Sequence, residues 1–509
     1  MYILTNKQMR EADEYTIKTL GVPSLLLMER AGIALADEAE TLSSSGKICC
    51  VCGGGNNGGD GFVCARVLRA RGREVEIVFY AEKQSDDCRV NMEKWMAVGG
   101  RILSKLPENC ALIVDCLYGT GFHGKLLDAD MGMVNEINGL KKRGVKVLSA
   151  DIPSGVNGEN GLVESVAIEA DKTLCIGEVK AGVLFGDGID HAGEIKRADI
   201  GIELPAGEAY AVLSDRENVK AILPKRKRNS HKGSFGRAAI VAGSIEYTGA
   251  AQLASSACLR SGAGYTTLFT PSEILPYYFL KAPEILLKST NDGGRYAFNE
   301  ERMQVLLGYS SIAYGMGMGI SEEVAKGAAW LLKHYEGKLV LDADGLNSLA
   351  QYKKETLSTL FKNKKCGVLL TPHVKEFSRL SGISVKEVLS GGMSVAKAVA
   401  EAWNVNVLLK NAVSAVTDGV NTAINASGCS GQAKGGSGDA LSGAIAGLCA
   451  SGLSCYEAGV AGAYLLGKAA EFAAKGVGEY SLTATDLIAY LPRAFLFVTE
   501  NADEERGEK

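Results

Sequence analysis

The stretch CGGGNNGGDGF, residues 52–62, directly follows the apolar run KICCV and gives the first indication of the fold. A buried strand that enters a glycine-rich turn and then the segment GFVCARVLRARG is typical of the first βα unit in a parallel α/β sheet. In such sheets the turn after a strand faces the ligand crevice, and the free amides of a helix N-terminus favour an anion. The stretch therefore predicts a ligand site with Asn56, Asn57 and Asp60 as its polar candidates.

Strand-like apolar runs alternate with helix-length segments along the chain in two series. The first series comprises residues 47–52, 75–80, 111–117, 145–153 and 172–177. The second comprises residues 237–244, 310–317, 338–344, 367–373 and 405–411. This spacing predicts two α/β domains, each with a mostly parallel sheet covered by helices. No internal repeat relates the two series, so we expect two different folds in residues 1–213 and 214–509.

The composition argues against several classes of function. With 55 basic and 59 acidic side chains, the net charge of −4 leaves no electrostatic footprint for nucleic acid, and the basic run PKRKRNSHK is interpreted as an interdomain connection. The 13 cysteines include no pair of CxxC motifs and indicate buried thiols in a reducing compartment. Residues 440–463 are interrupted by serines and Glu457, which favours packed core helices over a membrane span. A cytoplasmic protein without a nucleic-acid or membrane partner is therefore expected.

Two further strand ends in the first half carry carboxylates. Asp115 precedes GTGFHGK, and Asp151 precedes Pro153 and Ser154. Because the carboxyl ends of parallel strands meet at one edge, these groups are expected near the glycine turn.

The glycine turn also has the spacing GxGxxG, and Glu82 follows at about the distance of a ribose acceptor, so a dehydrogenase is one interpretation. Asn56, Asn57 and Asp60, where that fingerprint has small apolar residues, favour recognition of a polar substrate or of a hard cation instead.

The segment SGQAKGGSGDALSGAIAGL, residues 430–448, is the most explicit chemical signal in the second half. A glycine run that enters a helix rich in small residues presents free amides to an anion, and Asp439 lies on the first turn. Asp439 is a candidate general base for phosphoryl transfer, while the amides neutralise charge on the transferred group. No GxxxxGK[ST] motif occurs near either glycine turn, which argues against a P-loop NTPase.

In this order, the segments MREADEYTIKTLGVPSLLLMERAG, GGGNNGGDGFVCARVL, VDCLYGTGFHG and DIPSGVNG resemble the epimerase domain of the NAD(P)H-hydrate repair enzymes. The resemblance implies a Rossmann-like α/β/α domain that interconverts the R and S hydrates of NADH and NADPH. It implies hydrate contacts from Asn56, Asn57, Gly58, Gly59, Asp60, Gly119, Thr120, Gly121, Phe122, His123, Gly124, Lys125 and Asp151. It also implies a potassium ion held by Asn57, Asp115 and Ser154. Asp151 is the candidate for acid–base catalysis, and Lys180 is either a weaker candidate or a solvated lysine at a strand end.

The second half resembles the nucleotide-dependent NAD(P)H-hydrate dehydratase domain through HKGSFGRAAIVAGS, TGAAQLASSACLRSGAG, LDADGLN, TPHVKEF, LLKNAVSAVTDG and GGSGDALSG. The resemblance implies a ribokinase-like α/β fold. In this family the ring hydroxyl of the S hydrate is phosphorylated at the expense of ADP, or of ATP in some lineages, together with Mg²⁺, and phosphate then leaves. Contacts to the hydrate are implied for Ala250 or Ala251, Gly317, His373 and Asp439, with Asp439 as the base. Nucleotide contacts are implied for Lys410, Asn411, Ala412, Val413, Ser414, Gly435, Gly436, Ser437 and Gly438.

The chain departs from the family pattern in three places, at TPHVKEF, LLKNAV and YGMGMG, where we expect changed loop geometry. The leading hypothesis is one bifunctional repair enzyme that forms a homo-oligomer. It acts on the hydrates of NADH and NADPH, called NADHX and NADPHX, with ADP as the co-substrate. The alternative is a small-molecule kinase of the same fold with a non-catalytic N-terminal nucleotide-binding module, since fold alone does not determine function.

Overall fold

The apolar runs that were predicted as strands form the two mostly parallel sheets of the computed structural model, which describes residues 1–107, 109–206, 210–279 and 282–500. The chain divides into two units, Met1–Ala211 and Val212–Lys509. The division falls close to the boundary that the sequence suggests at Leu213. Each unit is described by itself below.

A seven-stranded, entirely parallel sheet forms the centre of the first unit, in the order β4-β3-β2-β5-β6-β7-β9. A short parallel pair, β1 with β8, lies outside this sheet. The strands are β1 Tyr2–Leu4, β2 Ile48–Cys52, β3 Val75–Phe79, β4 Ile102–Leu103, β5 Leu112–Cys116, β6 Lys146–Ala150, β7 Lys172–Ile176, β8 Val179–Lys180 and β9 Glu194–Ala198.

Helices cover both faces of this sheet. They are α1 Asn6–Glu14, α2 Ser24–Leu42, α3 Asn56–Ala70, α4 Asp86–Ala97, α5 Asp128–Lys142 and α6 Gly188–Ala192. Alternate strand residues point to opposite faces, so Cys50 packs with Phe62 of α3 while Cys49 packs with Ile137 of α5. Burial on both faces explains why β2, β5 and β6 consist of nearly continuous apolar runs. The α/β/α class predicted from the sequence is confirmed.

The strands of the second unit lie in the order β13-β12-β11-β14-β15-β16-β17-β18-β19-β10. Pairing is parallel from β13 to β17 and antiparallel from β17 through β18 to β19. The strands are β10 Ala211–Leu213, β11 Arg237–Val241, β12 Tyr265–Thr270, β13 Leu286–Ser289, β14 Ser311–Tyr314, β15 Lys338–Leu341, β16 Gly367–Leu370, β17 Asn406–Leu409, β18 Ser414–Thr417 and β19 Thr422–Asn425.

Helices again cover both faces of the second sheet. They are α7 Arg216–Ile222, α8 Thr248–Arg260, α9 Glu300–Gln304, α10 Glu322–His334, α11 Ala343–Leu349, α12 Lys354–Lys362, α13 Val374–Ser381, α14 Val385–Trp403, α15 Ser437–Ala450, α16 Cys455–Val477 and α17 Ala484–Thr499. Ile240 of β11 packs with Ala444 of α15, and Val241 packs on the other face with Leu331 of α10.

The predicted core helices of residues 440–463 are present as α15 and the first part of α16, and their small residues are buried. In the part of the chain that the structure describes, no helix combines the length and apolarity needed to cross a bilayer. All thirteen cysteines are free thiols, and every one except Cys429 is buried.

Each sheet has one point where the strand order reverses, and at each point a glycine that follows one of the two strands donates a hydrogen bond across it. In the first unit the reversal lies between β2 and β5, where Gly53 N–H donates to Cys116 O at 2.9 Å. In the second it lies between β11 and β14, where Gly243 N–H donates to Met316 O at 2.8 Å. Ligands of open α/β sheets bind in the crevice at these reversals.

Candidate active sites

A cavity of about 930 Å³ opens at the β2/β5 reversal of the first unit. Its apolar wall comes from α1 and α2, with Met9, Leu27 and Met28. Its polar wall comes from the turns after the strands, with Asn57 after β2 and Asp151 after β6. A cavity of this size accommodates a nucleotide-sized ligand, since small-molecule sites span about 300–1,000 Å³.

The glycines of the turn 53–59 serve mainly to let backbones approach each other. A Cβ on Gly53 would lie 2.0 Å from Leu117 O, one on Gly54 would lie 1.9 Å from Lys83 O, and one on Gly58 would lie 1.8 Å from Gly53 O. Gly55 alone of the run 53–55 would place a Cβ in open space. The turn therefore packs tightly against the strand ends, while Gly55 and the first residue of α3, Asn56, are exposed.

Asp151 has an unusual backbone and a buried ionic partner. Its φ of 68° lies in the left-handed region, which non-glycine residues adopt rarely and often at functional sites. Its carboxylate forms an ion pair with Lys180, which is 1% exposed, and accepts a hydrogen bond from Ile176 N at 3.0 Å. The interpretation of Lys180 as a solvated lysine is therefore wrong. The buried ammonium of Lys180 lies against the carboxylate of Asp151, which lines the cavity.

Two more carboxylates line the same cavity, Asp13 from α1 and Asp60 from α3. Within the described residues, neither forms a hydrogen bond or an ion pair with another side chain or with the backbone. Burial raises the pKa of Asp60 well above its usual value, and the charge of Asp151 raises it further. Burial also raises the pKa of Asp13, to about 6, against the lowering effect of Lys180.

Asn57, Asp115 and Ser154 are connected behind the cavity wall. Ser154 donates to Asp115 through both Oγ, at 2.6 Å, and its backbone N, at 2.9 Å, while Ser149 Oγ donates to the same carboxylate at 2.9 Å. Tyr118 links the groups, because its N–H donates to Ser154 Oγ and its carbonyl accepts from Asn57 Nδ2 at 2.7 Å. Asn57 Oδ1 is buried and has no hydrogen-bond partner among the described residues.

The remaining predicted contacts of the first unit divide into two groups. Gly119, Thr120, Gly121 and Phe122 line the cavity, and a side chain at Gly119 would lie 3.5 Å from both Asn57 and Asp151. The cavity wall does not include Gly58, Gly59, Asp115, His123, Gly124, Lys125 or Ser154.

A tyrosine pair on the cavity wall has no counterpart in the sequence expectations. Tyr80 and Tyr118 donate to the two oxygens of the buried Asp130, at 2.7 and 2.6 Å. Burial and the neighbouring carboxylate raise the pKa of both phenols, so they remain neutral donors.

In the second unit, Asp439 lies on the first turn of α15, which begins after Gly436 at φ 95°. Its carboxylate has no hydrogen bond or ion pair in the described part of the chain. Burial raises its pKa to about 7, the charge of Asp342 raises it further, and Lys410 opposes both. A carboxylate whose pKa lies near neutrality is suited to general-base catalysis.

Lys410 is positioned beside the N-terminus of α15 by a buried carboxylate. Its Nζ lies 2.8 Å from Asp342 Oδ1, and Ser442 Oγ donates to Asp342 Oδ2 at 2.7 Å. A Cβ on Gly438 would lie 3.3 Å from the same Nζ. Burial lowers the pKa of Lys410, but the carboxylates of Asp342 and Glu376 outweigh this effect, so the pKa is raised and the side chain stays cationic. Together, the cation and the helix N-terminus form an anion site.

His373 is the N-cap of α13 and pairs with Lys410 in an isolated parallel bridge. Its Nδ1 accepts hydrogen bonds from the backbone N–H groups of Lys375 and Glu376. Burial lowers the pKa of this imidazole, and the nearby Lys410 lowers it further although Glu376 opposes both. The ring is therefore neutral, and one edge of it remains exposed beside the anion site.

The predicted hydrate contacts lie at the β11/β14 reversal. Gly317 has a φ of 62°, and a Cβ there would lie 2.7 Å from Ala250 Cβ. Ala250 is partly exposed, whereas Ala251 is fully buried in the core. Gly319 N–H donates to Asp344 Oδ2 at 2.8 Å, and burial raises the pKa of Asp344.

The predicted nucleotide contacts lie on two turns. Lys410, Asn411, Ala412 and Val413 form the turn between β17 and β18, and Ser414 begins β18. Asn411 and Ala412 are exposed, and Val413 is buried. Gly435 and Gly436 precede α15, which Ser437 and Gly438 begin. Asp13, Asp342 and the tyrosine pair were not predicted as site residues from the sequence, although Asp13 and Asp342 lie in the motifs MREADEY and LDADGLN.

Comparison with known families gives two matches. The NAD(P)H-hydrate dehydratase family matches residues 238–493, and the family described as YjeF-related protein N-terminus matches residues 24–182. A bifunctional NAD(P)H-hydrate repair enzyme of Thermofilum pendens is 35% identical, over 98% of this chain and 97% of its own. A protein of the same description from Moorella thermoacetica is 33% identical, over 99% of this chain and 98% of its own.

A solved structure resembles the second unit. The ADP/ATP-dependent NAD(P)H-hydrate dehydratase of Bacillus subtilis, co-crystallised with ATP and Mg²⁺, superposes with a TM-score of 0.50 at 30% identity. The likeness covers 57% of this chain and 99% of the Bacillus protein. This agrees with the ribokinase-like fold expected for the second half.

Proposed function

This chain belongs to the family of bifunctional NAD(P)H-hydrate repair enzymes, and from this premise we propose that its first unit epimerises hydrated NADH and NADPH and its second unit dehydrates the S epimer. The protein is an enzyme with two activities, an isomerase and a lyase. One observation carries the assignment of sites: each unit has a glycine-rich helix start with a carboxylate that lacks a partner among the described residues, Asp60 on α3 and Asp439 on α15.

The cavity of the first unit has the features that an epimerase for a dinucleotide needs. Asn56 and the exposed start of α3 offer amides to the pyrophosphate. Met9, Leu27 and Met28 provide an apolar surface for the ring. Asp151 lies on this cavity in an ion pair with Lys180, and a side chain at Gly119, one of the predicted hydrate contacts, would lie 3.5 Å from its Oδ2.

The residues present fit a potassium ion at the base of this cavity. Asn57 lines the cavity, and its buried Oδ1 has no partner among the described residues, while Asp115 and Ser154, which are connected to Asn57 through Tyr118, lie behind the cavity wall. The four acceptor positions of Asp115 are occupied by donors from Ser149, Ser154 and Leu117, so Asn57 Oδ1 is the atom that most needs a cation. A bound potassium ion would supply positive charge for a pyrophosphate or for the developing charge of the ring.

In the second unit, Asp439 is the proposed base for the hydroxyl of the hydrate. It takes the hydroxyl proton while the oxygen attacks the terminal phosphoryl group of the nucleotide, which leaves one phosphate shorter. Lys410 and the amides of Gly438 and its neighbours neutralise the charge on the transferred group. The ring nitrogen then expels phosphate, and loss of a proton from the adjacent carbon restores the dihydronicotinamide.

The nucleotide is ADP or ATP, and Mg²⁺ accompanies it. The Bacillus relative is described as dependent on ADP or ATP. The described residues contain no cluster of three histidine, cysteine or acidic side chains able to hold a metal, which suits Mg²⁺ that arrives with the nucleotide phosphates and needs only one or two carboxylates.

One assay tests both activities in the intact chain. Mixed R and S hydrates are incubated with the protein, Mg²⁺, K⁺ and either ADP or ATP, and the absorbance of reduced nicotinamide is followed. A fast phase from the S hydrate and a slower phase limited by epimerisation are expected. A stable phosphate ester without recovered absorbance would instead establish a small-molecule kinase, and a first phase without a second would leave the first unit a binding module.

A further inference from the structure

The side chain of Asp13 lines the cavity of the first unit without a role in the site described so far. It lies on the last turn of α1 and lines the same cavity as Asp60, on α3, and Asp151, which follows β6. It is half-buried, and no hydrogen bond or ion pair holds its carboxylate within the described residues. A carboxylate that faces a nucleotide-sized cavity with no partner is available to a ligand.

Epimerisation at a hydrated ring carbon requires two proton-transfer groups. The hydroxyl-bearing carbon is bonded to the ring nitrogen, so the lone pair of that nitrogen can expel the hydroxyl if an acid protonates the leaving oxygen. Water must then add to the opposite face while a base removes its proton. Because departure and addition occur on opposite faces, a single carboxylate reaches only one of them.

We propose that Asp13, which lines the cavity from a different element than Asp151, is the second catalytic residue of the epimerisation; this inference rests on the proposed function of the first unit. Asp13 gives its proton to the leaving hydroxyl, the carbon–oxygen bond breaks, and the nitrogen lone pair forms the carbon–nitrogen double bond. A water molecule attacks the other face of that carbon, and Asp151 accepts its proton. The proton returns to Asp13 through water in the cavity, which is large enough to hold several molecules beside the ring.

The charged groups around Asp13 favour this division of roles. Lys180 and Asp151 face it from the strand ends, Asp60 faces it from α3, and Arg10 lies on its own helix. The ion pair with Lys180 holds the carboxylate of Asp151 at the cavity, where it can act as the base. The raised pKa of Asp13, about 6, leaves it protonated in part near neutrality, and burial raises the pKa of Asp60 well above its usual value.

The first experiment uses the full chain with mixed hydrates and ADP or ATP. Asp13→Asn is expected to leave the fast, S-hydrate phase unchanged and to slow the second phase by about 10²-fold, since general acid–base assistance contributes 10²–10⁴-fold. Asp13→Glu keeps an acid at this position and should recover part of the rate. Glu14→Gln, an exposed neighbour on the same helix that does not line the cavity, is the matched control and should behave as wild type.

The second experiment separates an acid from a structural residue. Without nucleotide, the exchange of purified S hydrate into R hydrate is followed by chromatography between pH 5 and 8. The wild-type kcat/KM should fall as the pH rises above about 6, because the protonated form of Asp13 is then lost. In Asp13→Asn this fall of kcat/KM with pH should be absent.

An unchanged rate of the slow phase in Asp13→Asn overturns the inference. So does a fall of kcat/KM above pH 6 that persists in Asp13→Asn but is absent in Asp60→Asn. Absence of both phases in the wild-type protein is a different result, since it refutes the proposed function itself.

Discussion

The pH dependence of dehydration tests the assignment of Asp439 most directly. Burial and the charge of Asp342 raise the pKa of Asp439 to about 7, and a general base works only when ionised. About one tenth of the carboxylate is ionised one pH unit below this value and about nine tenths one unit above it. The kcat/KM for the S hydrate should therefore rise about tenfold from pH 6 to pH 8.

The assay follows recovery of reduced-nicotinamide absorbance from purified S hydrate. The nucleotide concentration is kept low, so that the rise of kcat/KM with pH reports the ionisation of the free enzyme. Asp439→Asn should lower turnover by 10²–10⁴-fold while binding of the nucleotide, measured by calorimetry, persists. Asp344→Asn removes one of the negative charges that raise the pKa of Asp439, so the rise of kcat/KM should occur at lower pH.

Two results would refute this reasoning. The first is a rate that stays flat between pH 6 and 8 in the wild-type protein, because the base would then be a group with a different pKa. The second is an Asp439→Asn variant with unchanged turnover, because the carboxylate would then act only on the terminus of α15.

Three further outcomes follow from the first unit. Asp151→Asn should destabilise it by about 3–5 kcal/mol, because Lys180 is left buried without its partner, while the double change with Lys180→Met should cost much less; thermal unfolding measures both. Asn57→Ala removes the buried unpaired oxygen, so epimerisation measured against KCl concentration should lose its potassium dependence; an unaltered dependence places the ion elsewhere. Gly58→Ala would place a Cβ 1.8 Å from a backbone oxygen and should prevent correct folding, whereas Gly55→Ala meets open space and should be tolerated in circular dichroism and melting experiments.

The positions of the strand-end residues could be predicted because they follow from local pattern and one geometric rule. The runs at 47–52, 111–117 and 145–153 form β2, β5 and β6, and their parallel register brings the residues after them to one edge. Asn57 and Asp151 therefore lie near each other, on either side of Gly119. The glycine run 435–438 likewise indicated the start of α15 and the position of Asp439.

The burial and the packing partners of these residues could not be predicted in the same way. Whether Lys180 is solvated or buried depends on its packing against β7 and Asp151, and the sequence left both possibilities open. The tight packing of Gly53, Gly54 and Gly58 against other backbones also depends on neighbours that are distant in sequence.

The sequence by itself determined the α/β class, the two series of strands and the residue types available at each strand end, because hydrophobic periodicity and turn chemistry are local properties. Only the tertiary structure decided which groups share a cavity and which protonation states they hold. Asp13 and Asp151 line one cavity although 137 positions separate them in the sequence, and Asp342 positions Lys410 beside Gly438. Desolvation and charge coupling depend on distance in space, and distance along the chain does not reveal them.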